Sequence, residues 1–396
     1  MLLPTDDPVV IASIARTPMG GFQGELEQLA CAQLGAKAIH AAVRRAGVPD
    51  AEVSEVLMGC VLPAGQGQAP ARQAAKHGGL PDSVPATTVN KMCGSGMKTM
   101  MMAAQALIAD PGAVIVAGGM ESMTNAPYLL PKARGGMRLG HGQVIDHMFL
   151  DGLEDAYEGG LMGTFAELCA SKYEFSRAEQ DEYAIESLNR ARAASGGQFE
   201  AEIVPITVEL RSGNVTVSKD EQPFTAKPEK IPSLRPAFKK DGTVTAANAS
   251  SISDGAAATV MMRASEAERR GVTPLARVTA MTSHAQAPAW FTTAPVGAMR
   301  KLMAETGLEK SHVDLFEINE AFAVVPMAAM ADLQLPHEKV NVNGGACALG
   351  HPIGASGTRI VVTLVNALRQ RGARTGIAAI CIGGGEATAL SVELMR

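Results

Sequence analysis

The amino-acid sequence predicts an α/β protein made of two similar halves, with a loop domain inserted in the first. Three observations support this prediction: strand and helix patterns alternate near both ends, the middle is irregular, and one glycine-rich pattern occurs twice. The length agrees, because 396 residues are too many for one simple core. We expect an N-terminal half at 1–120 and 241–272, a loop domain at 121–240 and a C-terminal half at 273–396.

The first half shows the alternation expected of a sheet covered by helices. Apolar runs predict strands at 9–14, 56–58, 86–90 and 113–117. The strand at 86–90 is expected to be buried, and the strand at 113–117 to stop at Gly118-Gly119. Apolar spacing predicts helices at about 29–46, 65–77 and 95–108. Gly47 is a typical helix end, since glycine adopts positive φ without steric cost.

The region 121–240 is rich in glycine and proline and shows one clear helix, at about 177–194. So long an irregular segment is commonly functional, for example as a lid over a ligand. Five basic residues of this region could meet an anionic ligand, although a solvated surface of mixed charge explains each of them at least as well. They are Lys132, Arg134, Arg138, Lys227 and Lys230.

The second half repeats the alternation after a returning strand at 256–262. Strands are expected at 313–318 and 376–382, and helices at about 295–306, 320–333 and 355–370. In both halves a small-residue turn opens a helix, at Gly94-Ser95-Gly96 and at 354–357, and the next strand ends in glycines. Such halves would place their glycine-rich ends at one crevice, where ligands bind; chance similarity is the alternative.

Composition excludes several classes of function. The net charge of −5 shows no excess of positive charge of the kind that binds nucleic acids or membrane surfaces. No apolar run reaches the roughly 18 residues that a membrane-spanning helix needs. The sequence contains no CxxC pair of the kind that binds zinc. Six cysteines in so long a chain do not suggest a disulfide framework, so a reduced cytoplasm is the expected location. Cys31, Cys60 and Cys169 are expected in the core, and no targeting signal is evident at the N-terminus.

Cys93 is the first candidate for chemistry, because it stands between a predicted strand and a predicted helix. The positive end of a helix favours thiolate over thiol. Gly94 and Gly96 are expected to leave room for a substrate, and nearby amides to stabilise an oxyanion. A small buried hydrophobe is the commoner state of a free cysteine, so Cys93 alone decides nothing.

Three further positions complete the candidate set. His351, held between Gly350 and Pro352, has a suitable pKa to take a proton from a thiol, although a packing histidine is the simpler explanation. Cys381 precedes three glycines and would supply a second thiol. Asn319 follows a predicted strand, where its amide would hold a water or carbonyl, or only cap a helix. Glu320, next in the chain, would fix the neighbouring backbone or the imidazole.

Together these segments resemble the thiolase family, and the matching motifs span nearly the whole chain in the expected order. They are the acyl-enzyme motif at Val89 to Lys98, Asn319-Glu320-Ala321-Phe322, Asn343-Gly344-Gly345 with Gly350 to Gly357, and Cys381 to Gly385. The resemblance implies a five-layer αβαβα sandwich with a loop domain over the site of coenzyme A. It also implies a homotetramer, or a dimer.

The resemblance implies a role for each candidate residue. Cys93 would carry the acyl group, His351 would act as its base, and Cys381 would move the α-proton. Asn319, through a water, and His351 would form one oxyanion hole, and the amides of Cys93 and Gly383 the other. The residues expected to contact substrate or coenzyme A are Ser250, Leu161, Met162, Phe238, Phe291, Ala321 and Phe322.

The implied reaction is a reversible Claisen condensation of two acetyl-CoA molecules, or of acetyl-CoA with a short acyl-CoA, by a ping-pong mechanism. No cofactor or metal is expected beyond the coenzyme A thioesters themselves. The chain departs from the family pattern at four places. Leu161 stands where acetoacetyl-specific members usually carry a histidine, and Phe291 aligns with a methionine over the pocket. Phe224 lies near the place of an arginine that often meets the CoA nucleotide, and Glu386 takes the place of a further glycine, so acyl-chain length and CoA contacts are left open. A synthase-type condensing enzyme, against which Cys381 argues, and a non-catalytic acyl-CoA or lipid-binding relative are the alternatives.

Overall fold

The structure is a computed structural model that describes residues 1–211 and 213–395. Its strands are Val9–Arg16 (β1), Gly20–Gly21 (β2), Glu55–Gly59 (β3), Ala86–Val89 (β4), Ile115–Ser122 (β5), Tyr128–Leu129 (β6), Ile145–Asp146 (β7), Ile206–Leu210 (β8), Gly213–Val217 (β9), Ser253–Arg263 (β10), Ala276–Ala285 (β11), Leu315–Ile318 (β12), Thr375–Ile382 (β13) and Glu386–Leu394 (β14).

Its α-helices are Cys31–Ala46 (α1), Pro70–His77 (α2), Ser95–Ala109 (α3), Met162–Lys172 (α4), Arg177–Ala194 (α5), Gln222–Thr225 (α6), Ala264–Arg270 (α7), Ala294–Thr306 (α8), Val324–Leu333 (α9), Ala346–Leu349 (α10) and Ser356–Arg371 (α11). Short 3-10 helices lie at Asp50–Glu52, Ala133–Gly135, Pro228–Ser233, Pro288–Thr293, Lys310–His312 and His337–Lys339, and a π-helical turn at Phe149–Leu153.

The two halves repeat one sheet topology. The strand order is β4-β3-β5-β10-β1 in the first half and β12-β13-β14-β11 in the second, where Val340 forms a parallel bridge to Phe316 at the place of β4. In each half the parallel pairs come first and two antiparallel pairs follow. The predicted repeat is therefore confirmed, and a short β1–β11 pairing joins the two sheets.

Helices and sheets stack in five layers. Helices α3 and α11 pack against each other between the sheets, α1 and α2 cover one outer face, and α8 and α9 lie on the other. A Cβ added to Gly357 would lie only 2.4 Å from the backbone nitrogen of Met97, so this glycine permits the close approach of α3 and α11. The αβαβα sandwich predicted from the family resemblance is confirmed.

The structure differs from the sequence predictions in several details, among them two strands that were not predicted, β11 and β14. Strand β4 is a half-exposed sheet edge rather than a buried strand. Strand β5 continues through its glycines to Ser122, because β10 pairs with it along that whole length. Helix α9 begins at Val324 rather than at 320, since the preceding turn instead bonds to 248–250, where Ala323 N donates to Asn248 O at 2.8 Å.

The region 121–240 contains two α-helices that the sequence analysis missed, α4 and the short α6, and also the β6–β7 and β8–β9 hairpins. It is anchored to the first half by Arg16, whose guanidinium lies 2.6 Å from Glu202 and 2.6 Å from Asp220, with all three side chains fully buried. Paired burial of this kind avoids an uncompensated charge. Among the described residues, no helix has the length and apolar character to cross a membrane.

Candidate active site

Cys93 lies in the turn that joins β4 to α3 and is partly exposed. The turn is stiff, because Met92 takes a left-handed conformation, with a φ of 46°. The hydroxyl of Ser95 accepts from Lys91 N at 2.8 Å and donates to Met92 O at 2.6 Å. The backbone therefore holds the sulfur at the start of α3, as the sequence predicts.

Gly94 serves a different purpose from the one that the sequence suggests. A Cβ at Gly94 would lie 2.4 Å from Cδ1 of Ile382, and a Cβ at Gly96 would lie 2.7 Å from Oγ1 of Thr358. The expectation that these glycines leave room for substrate is therefore wrong. They let the first half close on the second, which brings the turn of Cys93 against the strand end of Cys381.

The Cys93 sulfur is a thiol at rest. Burial raises its pKa to about 11, although the nearby backbone amide of Gly383 acts in the opposite direction. Burial thus outweighs the helix N-terminus, which the sequence analysis expected to favour thiolate. A base must take the proton before this sulfur can attack.

His351 is buried in the turn that precedes α11. Its Nδ1 lies 2.6 Å from the hydroxyl oxygen of Ser356, which donates its only hydrogen to Pro352 O at 2.9 Å. Nδ1 must then donate to that oxygen, and Nε2 keeps its lone pair. Burial, assisted by the charge of Arg359, lowers the pKa of His351 to about 3, so the ring is neutral and able to accept a proton.

Cys381 ends β13 and is fully buried. Burial, and then the nearby charge of Cys93, raise its pKa well above the usual thiol value. Ile353, two residues after His351, belongs to the apolar cluster against which Cys93 packs. The fold therefore brings both cysteines and the histidine turn to one crevice, although they lie up to 288 positions apart in the sequence.

Asn319 provides an unused pair of polar atoms. Its backbone N–H donates to Ala379 O at 2.9 Å, but its side-chain nitrogen and oxygen are buried without a partner in the described chain, as is Nε2 of His351. Buried polar groups normally have hydrogen-bond partners. These atoms are therefore available to a ligand. Asn343, in the next motif, has the same unpaired amide, and the sequence analysis assigned it no role.

Glu320 fixes the backbone beside the site rather than the imidazole. It accepts hydrogen bonds from Tyr183 at 2.9 Å, from Ser187 at 2.7 Å and from the N–H of Cys347 at 3.0 Å. These contacts join α5 of the loop region to α10, just before the turn of His351. No hydrogen bond to His351 is seen among the described contacts of Glu320.

An aromatic cluster lies beside Cys381. The rings of Phe238 and Phe322 meet edge to face at 5.9 Å, and those of Phe291 and Phe322 at 6.3 Å. Ala321 is part of the same cluster, and Met162 packs on it. A Cβ on Gly383 would lie 3.6 Å from the Met162 sulfur, so the cluster reaches the turn that contacts Cys93. Sequence reasoning missed Phe165, 6.4 Å from Phe291, and Leu161 directly precedes Met162 at the start of α4.

A cleft of about 310 Å³ runs between the loop region and the second half. Lys227 and Lys230 line it together with Ser251 and Cys347, so two of the five candidate cations are placed to meet an anionic ligand. Ser250 N donates to Ala321 O at 3.0 Å, which ties this serine to the motif of Asn319. Cys347 was not identified from the sequence.

Comparison with known proteins gives the family. The model of the thiolase N-terminal domain matches residues 9–265, and that of the thiolase C-terminal domain matches 272–394. The chain belongs to the thiolase family. Like other thiolases, it is an acyltransferase that performs Claisen condensation and the reverse thiolysis.

The relatives are similar over nearly the whole chain. Acetyl-CoA acetyltransferase 2 of Arabidopsis thaliana is 51% identical over 98% of this chain and 97% of its own length. The acetyl-CoA acetyltransferase of Cupriavidus necator is 47% identical over 97% of this chain and 99% of its own length.

Solved structures agree with that result. The acetyl-CoA acetyltransferase of Bacillus anthracis superposes with a TM-score of 0.95 at 41% identity, covering 98% of this chain and 99% of its own. The Acat5 thiolase of Ascaris suum, solved in complex with coenzyme A, gives 0.93 at 42% identity, covering 98% and 100%. These likenesses confirm the family and fold predicted from the motifs.

Proposed function

We propose that this thiolase joins two acetyl-CoA molecules, or acetyl-CoA and a short acyl-CoA, by a ping-pong mechanism through an acyl thioester on Cys93. The observation that carries the proposal is the close fit of Gly94 against Ile382, where an added Cβ would lie 2.4 Å from Cδ1, because it brings the turn of Cys93 against the end of the strand that carries Cys381. The names of the relatives, acetyl-CoA acetyltransferases, support the choice of substrate.

In the first step Nε2 of His351 takes the proton of Cys93, and the sulfur attacks the thioester carbonyl carbon. The amides of Cys93 and Gly383 stabilise the oxyanion of the tetrahedral intermediate. The carbon–sulfur bond to coenzyme A then breaks, and Cys381 gives its proton to the departing thiolate. The products are acetyl-Cys93, free coenzyme A, a Cys381 thiolate and a protonated His351.

In the second step the Cys381 thiolate takes an α-proton from the second acetyl-CoA. The resulting enolate oxygen is stabilised by His351 and, through a water, by Asn319. The enolate carbon attacks the acyl carbonyl, the bond to the Cys93 sulfur breaks, and His351 returns the proton to that sulfur. Every group is then in its initial state, and thiolysis follows the same path in reverse.

The cleft lined by Lys227 and Lys230 is the proposed site of coenzyme A, whose phosphates carry the charge that these lysines would meet. The aromatic cluster around Phe322 would bound the acyl chain, with Leu161 and Met162 at its edge. No cofactor beyond the thioesters is proposed. A homotetrameric assembly, a cytoplasmic location and a role in fatty acid metabolism are proposed from the family resemblance.

Mass spectrometry of the protein mixed with acetyl-CoA tests the mechanism. The peptide that contains Cys93 should gain the mass of one acetyl group and lose it when coenzyme A is added. Cys93→Ser should form no such thioester, and its turnover should fall more than about 10³-fold. Full turnover by this variant, or acetylation confined to another cysteine, would overturn the assignment, and the absence of any adduct would favour a non-catalytic binder.

A further inference from the structure

Glu121 is a buried carboxylate that the mechanism above does not use. It lies near the end of β5, and its oxygens accept three backbone N–H groups: Val61 at 2.9 Å, Leu62 at 3.2 Å and Gly354 at 2.9 Å. Gly354 belongs to the turn of His351, whereas Val61 and Leu62 follow β3. One side chain therefore ties together two segments that border the catalytic crevice.

The turn of His351 is pressed closely onto β5. A Cβ on Gly354 would lie 2.6 Å from Met120 O and 2.7 Å from an oxygen of Glu121, and a Cβ on Gly119 would lie 2.0 Å from Gly354 O. Backbone thus meets backbone here without side chains between. Val61 and Leu62 form one apolar cluster with Ile353, and Cys93 packs against that cluster.

We infer that Glu121 is a positioning residue for His351, and that its ionised carboxylate holds the 350–354 turn in its catalytic place while protonation releases it. A carboxylate accepts charge-assisted hydrogen bonds at both oxygens, whereas protonation turns one oxygen into a donor and weakens the other as an acceptor. The inference rests on the role proposed above for His351. It adds a group, distant in sequence, that determines when the imidazole is in place.

The surroundings of Glu121 make its protonation accessible near neutral pH. The ionisable groups that face it are thiols: Cys60 at 3.6 Å, Cys31 in the same cluster within 4.8 Å, and Cys93 beyond the turn. Within the described chain, Glu121 has no ion pair with a lysine, arginine or histidine. Burial raises its pKa to about 7, with the three amides acting in the opposite direction.

Burial raises the pKa of Glu121, whereas the hydrogen bond from Gly354 lowers it, and the sign of the pH effect follows from that bond. If the turn leaves a carboxyl that stays buried, the pKa of Glu121 rises further, so protonation favours the displaced turn. Because the pKa of Glu121 is raised to about 7, the protonated form accumulates as the pH falls through neutrality and the turn loses its anchor. Protonation of His351 would not give the same effect, since its pKa is lowered to about 3. A loss of activity below about pH 7 would therefore report Glu121 rather than the imidazole.

Hydrogen exchange of the unmodified protein is the first test. After correction for intrinsic exchange rates, protection of the peptide covering 350–357 should fall about ten-fold between pH 8 and pH 6, the change expected for one proton. Peptides from α5 should keep their protection over that range. Constant protection of 350–357 would overturn the inference, and this readout is independent of the proposed catalytic mechanism.

Glu121→Gln is the second test, because it keeps the shape of the side chain but cannot ionise. Its kcat should fall about ten-fold with KM for acetyl-CoA nearly unchanged, and the acid limb of kcat near pH 7 should vanish. Glu167→Gln is the matched control, since Glu167 also accepts backbone N–H groups, from Thr243 and Val244; it should retain the limb. A persisting limb in Glu121→Gln would contradict the inference, and if that variant does not fold, the exchange experiment decides.

Discussion

The two halves share one strand order, yet the corresponding turns carry different groups. The turn before the central helix holds Cys93 in the first half and His351 in the second. The strand after that helix holds Glu121 in the first half and Cys381 in the second. The repeated fold thus brings four strand and helix ends to one crevice, and each end carries a different functional group.

Exposure distinguishes these positions further. Cys93 is partly exposed, which suits the proposed acyl carrier because two substrates would reach it in turn, whereas Cys381 has no exposed surface. Burial moves all four pKa values toward the neutral form: those of Cys93 and Cys381 rise, that of Glu121 rises and that of His351 falls. The chemistry must then proceed by proton transfer between neighbours rather than from ions present at rest.

Removal of the buried thiol should have the largest effect and should separate the two cysteines. Cys381→Ala is expected to acetylate Cys93 but to lose α-proton exchange of acetyl-CoA by at least about 10³-fold, because the change removes the thiolate that is proposed to take that proton. Proton NMR of acetyl-CoA in deuterated water measures the exchange, and mass spectrometry measures the acylation. Unimpaired α-proton exchange in this variant would rule out the proposed role of Cys381.

Loss of the Ser356 hydroxyl should have the next largest effect on kcat. Ser356→Ala removes the acceptor for Nδ1 of His351, so the ring loses its defined orientation and tautomer. We expect kcat to fall about ten- to hundred-fold with KM little changed. Steady-state kinetics checks this, and Ser195→Ala, which removes another bond from a hydroxyl to a helix carbonyl, is the control. Equal losses in both variants would indicate general destabilisation.

Much of the site could be predicted from the sequence because its residues stand in local turn motifs. Cys93, His351 and Cys381 each lie at a glycine-rich end of a strand or helix, which is a short-range signal. Ser356 stands five residues after His351 within such a motif, so its position could have pointed to a bond with the ring. Glu121 gave no comparable signal, because its partners lie about 60 and 233 positions away.

The errors concern contacts between distant segments. Gly94 was expected to make room for substrate, but only the folded chain shows Ile382 at that place. The edge position of β4 and the full length of β5 depend on which strands pair with them, a property of the whole sheet rather than of any local pattern. The strand β14 was missed for the same reason.

A change in the proposed acyl pocket should give a smaller effect, because its aromatic rings lie in the second half and the loop region, outside the turn of Cys93. Phe238→Ala removes a half-buried ring that packs edge to face on Phe322. We expect the kcat/KM for a longer 3-ketoacyl-CoA to rise about ten-fold relative to acetoacetyl-CoA. Thiolysis rates across a series of chain lengths measure this. An unchanged ratio would place the acyl chain elsewhere, and Phe224→Ala, an exposed ring outside the cluster, is the control.

The ion pair between Lys91 and Glu386 should give the smallest effect and tests how the two turns are held together. Lys91 Nζ lies 2.6 Å from Glu386 and joins the turn of Cys93 to the strand that follows Gly383. Since both side chains are partly exposed, the pair is worth no more than about 1 kcal/mol. We expect Lys91→Met or Glu386→Gln to lower kcat about two- to five-fold, and high salt to reduce the difference from wild type.

The exchange of both charges, Lys91→Glu with Glu386→Lys, is the matching control for that prediction. If the pair sets the distance between the amides of Cys93 and Gly383, the double variant should recover most of the kcat that each single change loses. Additive losses would mean that the two side chains act independently. In that case the halves are held by the close fit of Gly94 against Ile382, and the ion pair contributes nothing to the oxyanion hole.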